Sequence, residues 1–225
     1  MQKHREQNAW LTSPAPSALR LQRQWLTRPG ALTNGLRQLG ELQLRVLSEQ
    51  VCRARFPEAL RLELQPGHAL WQREVCMSIN GVACVVAHSV TPLNAAQGHW
   101  QALKRLRSRP LADILYDDRA IVRSAFEFST IRLGMPLYTL ALAESVAGAR
   151  ILARRSVFVR AKQPLLVAEA FLPSFWTIAR RAAPLVVALV LYGPLHVATF
   201  LLHVTLVGAS LTGFALDGAA VAALR

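Results

Sequence analysis

Arg73 and Glu169 occupy positions where a charge has to be accounted for. The run Trp71-Gln72-Arg73-Glu74-Val75-Cys76-Met77-Ser78-Ile79 alternates like a half-buried strand, and Trp71, Val75, Met77 and Ile79 share Arg73's side. A guanidinium does not lose its proton, so burying it calls for an anion, either a protein carboxylate or a ligand. In the later run Pro164 to Leu172, Leu165, Val167 and Phe171 share a side with Glu169, while the other side carries Leu166, Ala168, Ala170 and Leu172. Both faces are apolar, so Glu169 is expected to be buried, and desolvation favours its protonated, hydrogen-bond-donating form. Two arrangements are open. The two charges pair with each other in the core, or both line a ligand pocket. In a pocket, Arg73 grips a carboxylate through a two-pronged contact, and Glu169 handles a hydroxyl or ether oxygen or moves a proton.

The remaining polar groups suggest less. His68 follows Pro66-Gly67 in a loop and reads as exposed, and His88 lies on a strand opposite Val85. His196 and His203 belong to an uncharged C-terminal stretch. These residues form no metal-ligand cluster, so no metal is assigned. There is also no phosphate-binding glycine loop and no nucleophile elbow.

The elements that must hold Arg73 and Glu169 follow from periodicity. Residues 1–17, ending in Ser13-Pro14-Ala15-Pro16, read as a disordered leader. Ala18 to Gly40 has a helical pattern that Arg28-Pro29-Gly30 breaks into two helices. Glu41 to Val46 alternates like a strand, followed by a charged linker through Pro66-Gly67. The Arg73 strand ends at Asn80-Gly81, a strong hairpin signal because both residues tolerate positive φ, and Val82 to Val90 returns. A helical stretch lies around Trp100 to Arg107, and a short helix begins at Pro110. Between 117 and 153 the pattern is ambiguous: Arg123 to Leu133 fits a strand, and Leu137 to Ala153 fits an Ala-rich helix or an irregular insertion. Ser156 to Arg160, a turn at Ala161-Lys162-Gln163, and Pro164 to Leu172 form a second hairpin. Hairpins with helices before and between them indicate an α+β domain on an antiparallel sheet.

Composition narrows the partners. The 225 residues suffice for one domain and an appendage, with 26 Lys+Arg against 13 Asp+Glu and a net charge of +13. The basic residues are mostly arginines scattered among apolar ones, with no zinc-finger or RNA-binding signature, so no nucleic acid is expected. Three cysteines (Cys52, Cys76, Cys84) without a CxxC pair fit a reducing cytoplasm. The polar N-terminus has no signal-peptide core.

Several stretches, in order, resemble one family. They are Trp25-Leu26 through Leu32-Thr33 to Leu39-Gly40, Trp71-Gln72-Arg73-Glu74 with its Asn80-Gly81 turn, and Arg109-Pro110-Leu111 with Ile114-Leu115. Arg154-Arg155-Ser156 and the run Pro164-Leu165-Leu166 to Glu169-Ala170-Phe171-Leu172-Pro173 complete the set. Over residues 18–176 the chain is similar to the chorismate–pyruvate lyases. The resemblance implies a six-stranded antiparallel sheet with helices on one side, enclosing an internal ligand cavity. It also implies elimination of pyruvate from chorismate to give 4-hydroxybenzoate, the first committed step of ubiquinone biosynthesis, without metal or organic cofactor. Arg73 would hold the ring carboxylate and Glu169 the oxygen at the far end, both as catalytic residues. Leu32 and Leu111 would add backbone or apolar contacts. The expected state is a monomer. The rival reading is a non-catalytic ligand-sensing domain of the same fold, as found on some bacterial repressors. Those carry a winged helix upstream, and only about 40 residues precede the first strand here.

The chain departs from the family pattern after the Phe171-Leu172-Pro173 run. Residues 177–225 read as a hydrophobic, helical tail, and Ala182 to Leu216 contains 35 residues without a charge, where about 20 span a bilayer. Gly193-Pro194 would kink or split such a helix. The tail is either an anchor to the inner membrane or a non-native extension. In the first case Arg180-Arg181, with Arg154, Arg155 and Arg160 upstream, would keep the domain on the cytoplasmic side.

Overall fold

A computed structural model describes residues 10–133, 135–145 and 150–192, with side chains through 182. The chain divides into two compact units, 1–179 and 180–225. The first is built on one antiparallel sheet of seven strands: β1 (Leu42–Arg53), β2 (Ala69–Ile79), β3 (Val82–Pro92), β4 (Val122–Arg123), β5 (Glu127–Ile131), β6 (Ile151–Arg160) and β7 (Gln163–Phe171). Their order is β1-β2-β3-β7-β6-β4, with β5 also pairing on β6. The seventh strand beyond the expected six is the two-residue β4. At the β2–β3 turn Asn80 and Gly81 both have positive φ, +49° and +78°, as the dipeptide predicts. Asn80 also holds the entry to β1, its Oδ1 accepting from Glu41 N at 2.8 Å.

The β1 strand runs seven residues past the predicted end at Val46. A bulge explains the difference: Val46 pairs with Val75 but Ser48 with Glu74, so Leu47 is unpaired and the alternation shifts by one. The β6 strand begins five residues before the predicted Ser156, taking in Arg154 and Arg155.

One face of the sheet meets α1 (Arg20–Leu26) and α2 (Leu32–Arg37), whose Trp25, Leu26, Leu32 and Leu36 pack with Val75, Met77, Ile79 and Phe171. Phe175 and Trp176 join that cluster from the start of the last helix, α7 (Pro173–Tyr192). Farther along this face lie α4 (Leu93–Gln97), a 3-10 turn (Gln101–Arg105) and α5 (Ala112–Leu115), packing Trp100, Leu103 and Leu106 against Trp71, Phe158 and Leu165. The opposite face is not bare, against the expectation of helices on one side. There α3 (Phe56–Arg61) places Ala59 with Leu70 and Val90, and α6 (Pro136–Ala143) places Leu137 and Ala141 with Val86 and Ala170. A sheet apolar on both faces has to be covered on both.

Two expectations about the ends need correction. Order begins inside the predicted leader, since Leu11 exchanges two 2.8 Å hydrogen bonds with Phe128 and Arg155 stacks on Trp10. Arg154, Arg155 and Arg160 are strand residues paired with Glu169, Glu127 and Asp118, so they are not free charges flanking a membrane span. Among the described residues no helix is long and apolar enough to cross a membrane. Most of the 182–216 tail lies outside the described residues.

Candidate active site

Arg73 is only 2% exposed, on the face that meets α1 and α2. Its Nε donates to Glu49 Oε1 at 2.9 Å, and its Nη2 donates to Arg107 O at 2.6 Å and Arg109 O at 3.2 Å. Arg107 presents its carbonyl from a left-handed backbone, φ +51°. Burial pulls this guanidinium below its usual pKa, opposed by Glu49, yet an arginine stays charged. The anion that burial required is therefore partly supplied from within, by a residue of the bulged strand. Only Nη1 lacks an acceptor among the described residues. The expected two-pronged grip would thus have only this terminal nitrogen to draw on.

Glu169 does not pair with Arg73. Across the sheet Arg73 aligns with Ser89 and Ser89 with Val167, so Glu169 stands two strands away and two residues along, about 12 Å between Cα atoms. Its direct neighbour on β6 is Arg154, whose Nε donates to Glu169 Oε2 at 2.6 Å. Arg154 is 1% exposed, and its Nη1 reaches Trp25 O, Leu26 O and Arg28 O at the C-terminal end of α1. Orphan carbonyls and the negative end of the helix dipole suit a guanidinium there. Its neighbours are therefore not only apolar: one carboxylate oxygen accepts from Arg154, and the side chain is 16% exposed.

Arg73, Glu169, Leu32 and Leu111 all line one cavity. Leu32 opens α2 and Leu111 immediately precedes α5, so these two short helices bring them over the sheet. The floor is formed by residues that share the face of Arg73, including Val75, Ala87, Ser89, Val167 and Ser156. Thr33, 5% exposed, contributes a buried hydroxyl with no hydrogen-bond partner among the described residues. Tyr116, Arg123 and Phe126 complete the wall near Glu169. Burial pushes the Tyr116 phenol up, and its O–H donates to Gly30 O at 2.8 Å. Periodicity alone singles out neither Arg154 nor Arg123. Extending the alternation of Ser156 and Phe158 back to Arg154 and Leu152 was the available signal for the first.

His88 is on the side of β3 opposite Val85, as its place in the strand predicts, and is buried there. Its Nε2 lies 2.8 Å from Glu58 Oε1 and its Nδ1 3.0 Å from Glu74 Oε1. Only an imidazolium donates from both nitrogens. Burial alone would lower its pKa, but the two carboxylates outweigh that and push it up to about 9. Glu58 moves the opposite way: burial would raise it, and the hydrogen bond from His88 brings it below its usual value. A raised histidine stabilises the fold fully below its unfolded value near 6.5, and that contribution is lost as pH climbs through about 9. We expect stability measured by urea unfolding to fall between pH 6 and pH 9.5, about 3 kcal/mol of it owed to His88. His88→Gln should lose only the share that the burial-raised thiols of Cys52, Cys76 and Cys84 contribute at the alkaline end; an equal decline in both proteins would refute the assignment.

Comparison with known proteins gives matches in sequence and in structure. A model of the family described as chorismate lyase matches residues 5–181. A protein of Bordetella avium (strain 197N) named probable chorismate pyruvate-lyase is 52% identical over 180 residues, 78% of this chain and 90% of that protein. Another from Burkholderia pseudomallei (strain 1710b), named probable chorismate pyruvate-lyase 1, is 38% identical over 170 residues, covering 76% and 92%. Among solved structures, the effector domain of PhnF from Mycobacterium smegmatis matches with a TM-score of 0.47 and 13% identity, over 64% of this chain and 90% of that domain.

Proposed function

The chain belongs to the chorismate lyase family, and on that premise we propose that it eliminates pyruvate from chorismate to give 4-hydroxybenzoate, the first committed step of ubiquinone biosynthesis. The observation that carries this reading is the convergence of Arg73, Glu169, Leu32 and Leu111 on one cavity. Arg73 Nη1 takes the ring carboxylate. Glu169, one oxygen held by Arg154, accepts from the hydroxyl at the opposite end of the ring. Leu32 and Leu111 clamp the apolar ring faces.

The reaction breaks the bond between ring carbon and enolpyruvyl oxygen, and the hydrogen on the hydroxyl-bearing carbon leaves the ring. The side chain gains that hydrogen as the methyl group of pyruvate, so neither water nor a redox partner is consumed. Restored aromaticity supplies the driving force. The protein's contribution is to hold one conformer in a dry cavity, where positioning accounts for most of the acceleration. An ion-paired Glu169 is unsuited to protonate the departing oxygen, so its role here is orientation of the ring. On this reading the first compact unit, through Ala179, is the catalytic domain of a cytoplasmic monomer, and the hydrophobic tail that follows attaches it to the inner membrane.

The test is direct. The purified full-length chain, incubated with chorismate, should produce 4-hydroxybenzoate and pyruvate in equal amounts, read by absorbance and a coupled pyruvate assay. Tight binding of chorismate without either product would favour the ligand-sensing reading instead.

A further inference from the structure

Arg123 is the second arginine in the cavity wall, and its electrostatic situation differs from that of Arg73. Arg73 has Glu49 at 2.9 Å, whereas Arg123 has no carboxylate within ion-pair distance among the described residues. Its guanidinium is nevertheless fixed in place. Its Cζ lies 4.1 Å over the Phe126 ring, and its Nη1 donates at 3.2 Å to the Tyr116 oxygen, itself anchored on Gly30 O. An aromatic face orients a guanidinium without neutralising it. Among the described residues only one of its five N–H donors is engaged, which leaves the others for a ligand.

The topology puts the two arginines on opposite sides of the cavity. Arg73 is on β2 and Arg123 on β4, four strands apart in the sheet order, or about 19 Å if the sheet were flat. One cation is already balanced within the protein and the other is not. Such a cavity suits a ligand with a second negative group beyond the one held by Arg73. Chorismate carries two carboxylates, one on the ring and one on the enolpyruvyl side chain. 4-Hydroxybenzoate retains only the first.

We infer that Arg123 binds the side-chain carboxylate of the substrate, a contact that the aromatic product cannot make. The inference rests on the lyase reading for the identity of the dianion. Arg123 then makes a contact to substrate that is lost on conversion to product, with Phe126 and Tyr116 positioning it.

Arg123→Met keeps an apolar chain against Phe126 and removes the charge; Arg123→Lys keeps the charge. Steady-state chorismate kinetics and 4-hydroxybenzoate inhibition are measured for both. In Arg123→Met, KM for chorismate should rise roughly tenfold to a hundredfold, with the inhibition constant of 4-hydroxybenzoate within about threefold of its original value. Arg123→Lys should recover part of the loss. Unchanged KM, or KM and inhibition constant rising together, would overturn the inference, the latter by showing a merely structural role. If the unsubstituted chain makes no 4-hydroxybenzoate, the lyase reading fails by itself. Calorimetric titration with chorismate and with 4-hydroxybenzoate then decides the Arg123 contact separately: a loss confined to chorismate upholds it, and an equal or absent loss refutes it.

Discussion

Arg73→Ala is expected to lower kcat/KM for chorismate by roughly thirtyfold to five-thousandfold, since truncating one member of a buried charged contact costs roughly 2–5 kcal/mol. The loss has two parts. The ring carboxylate loses its cation, and the loop carrying Arg107 and Arg109 loses the guanidinium that both carbonyls accept from. That loop leads directly into Leu111, so a displaced loop would also loosen the clamp on the ring. Arg73→Lys should recover little. A lysine keeps the charge but cannot donate to Glu49 and to two carbonyls from one planar group while leaving another nitrogen for the ligand. The comparison requires folded protein, checked by circular dichroism. Full turnover by folded Arg73→Ala would remove this residue, and the proposed substrate pose with it, from the site.

The second large effect concerns stability. Arg154→Met should cost roughly 3–5 kcal/mol in urea unfolding, the range for breaking a buried ion pair by removing one partner. It leaves Glu169 without its guanidinium and strips the last turn of α1 of the donor serving Trp25, Leu26 and Arg28 carbonyls. Adding Glu169→Gln to Arg154→Met should cost less than the sum of the two single changes, because the carboxylate no longer needs a partner. A cost below about 1 kcal/mol for Arg154→Met would place the pair among exposed, weakly contributing ones.

These residues differ in how far the sequence disclosed them. Arg73 and Glu169 stand in runs where every second residue is apolar, so their burial or near-burial follows from strand period alone. Their partners do not follow. Glu49 lies beyond a bulge, where the extra Leu47 shifts the alternation and makes the rest of β1 resemble a charged linker. Arg154 stands at the head of a strand whose first residues, Ile151-Leu152-Ala153, also suit a helix, and two adjacent arginines read more simply as solvated charge. Arg123 heads the run to Leu133 that fits one strand, but the structure breaks that run into β4 and β5, and the two residues of β4 are too few to show which face Arg123 takes. Leu32 and Leu111 came only from family resemblance, since an apolar residue at a helix start carries no chemical signal. In each case the missing information was which segments meet across the sheet, and a local pattern does not contain it.

The bulge at Leu47 has a further effect. β1 is the outermost strand on its side of the sheet and runs for twelve residues. A flat outer strand of that length is a template on which a neighbouring molecule's strand could add, the first step towards aggregation. An unpaired residue in mid-strand bends and twists the edge, so a straight incoming strand cannot stay in register along all of it. Glu49 and Arg53 beyond the bulge, and Arg45 before it, add charges that such a strand would have to accommodate. The irregularity that swings Glu49 beneath Arg73 thus also helps keep the chain from polymerising through its own sheet.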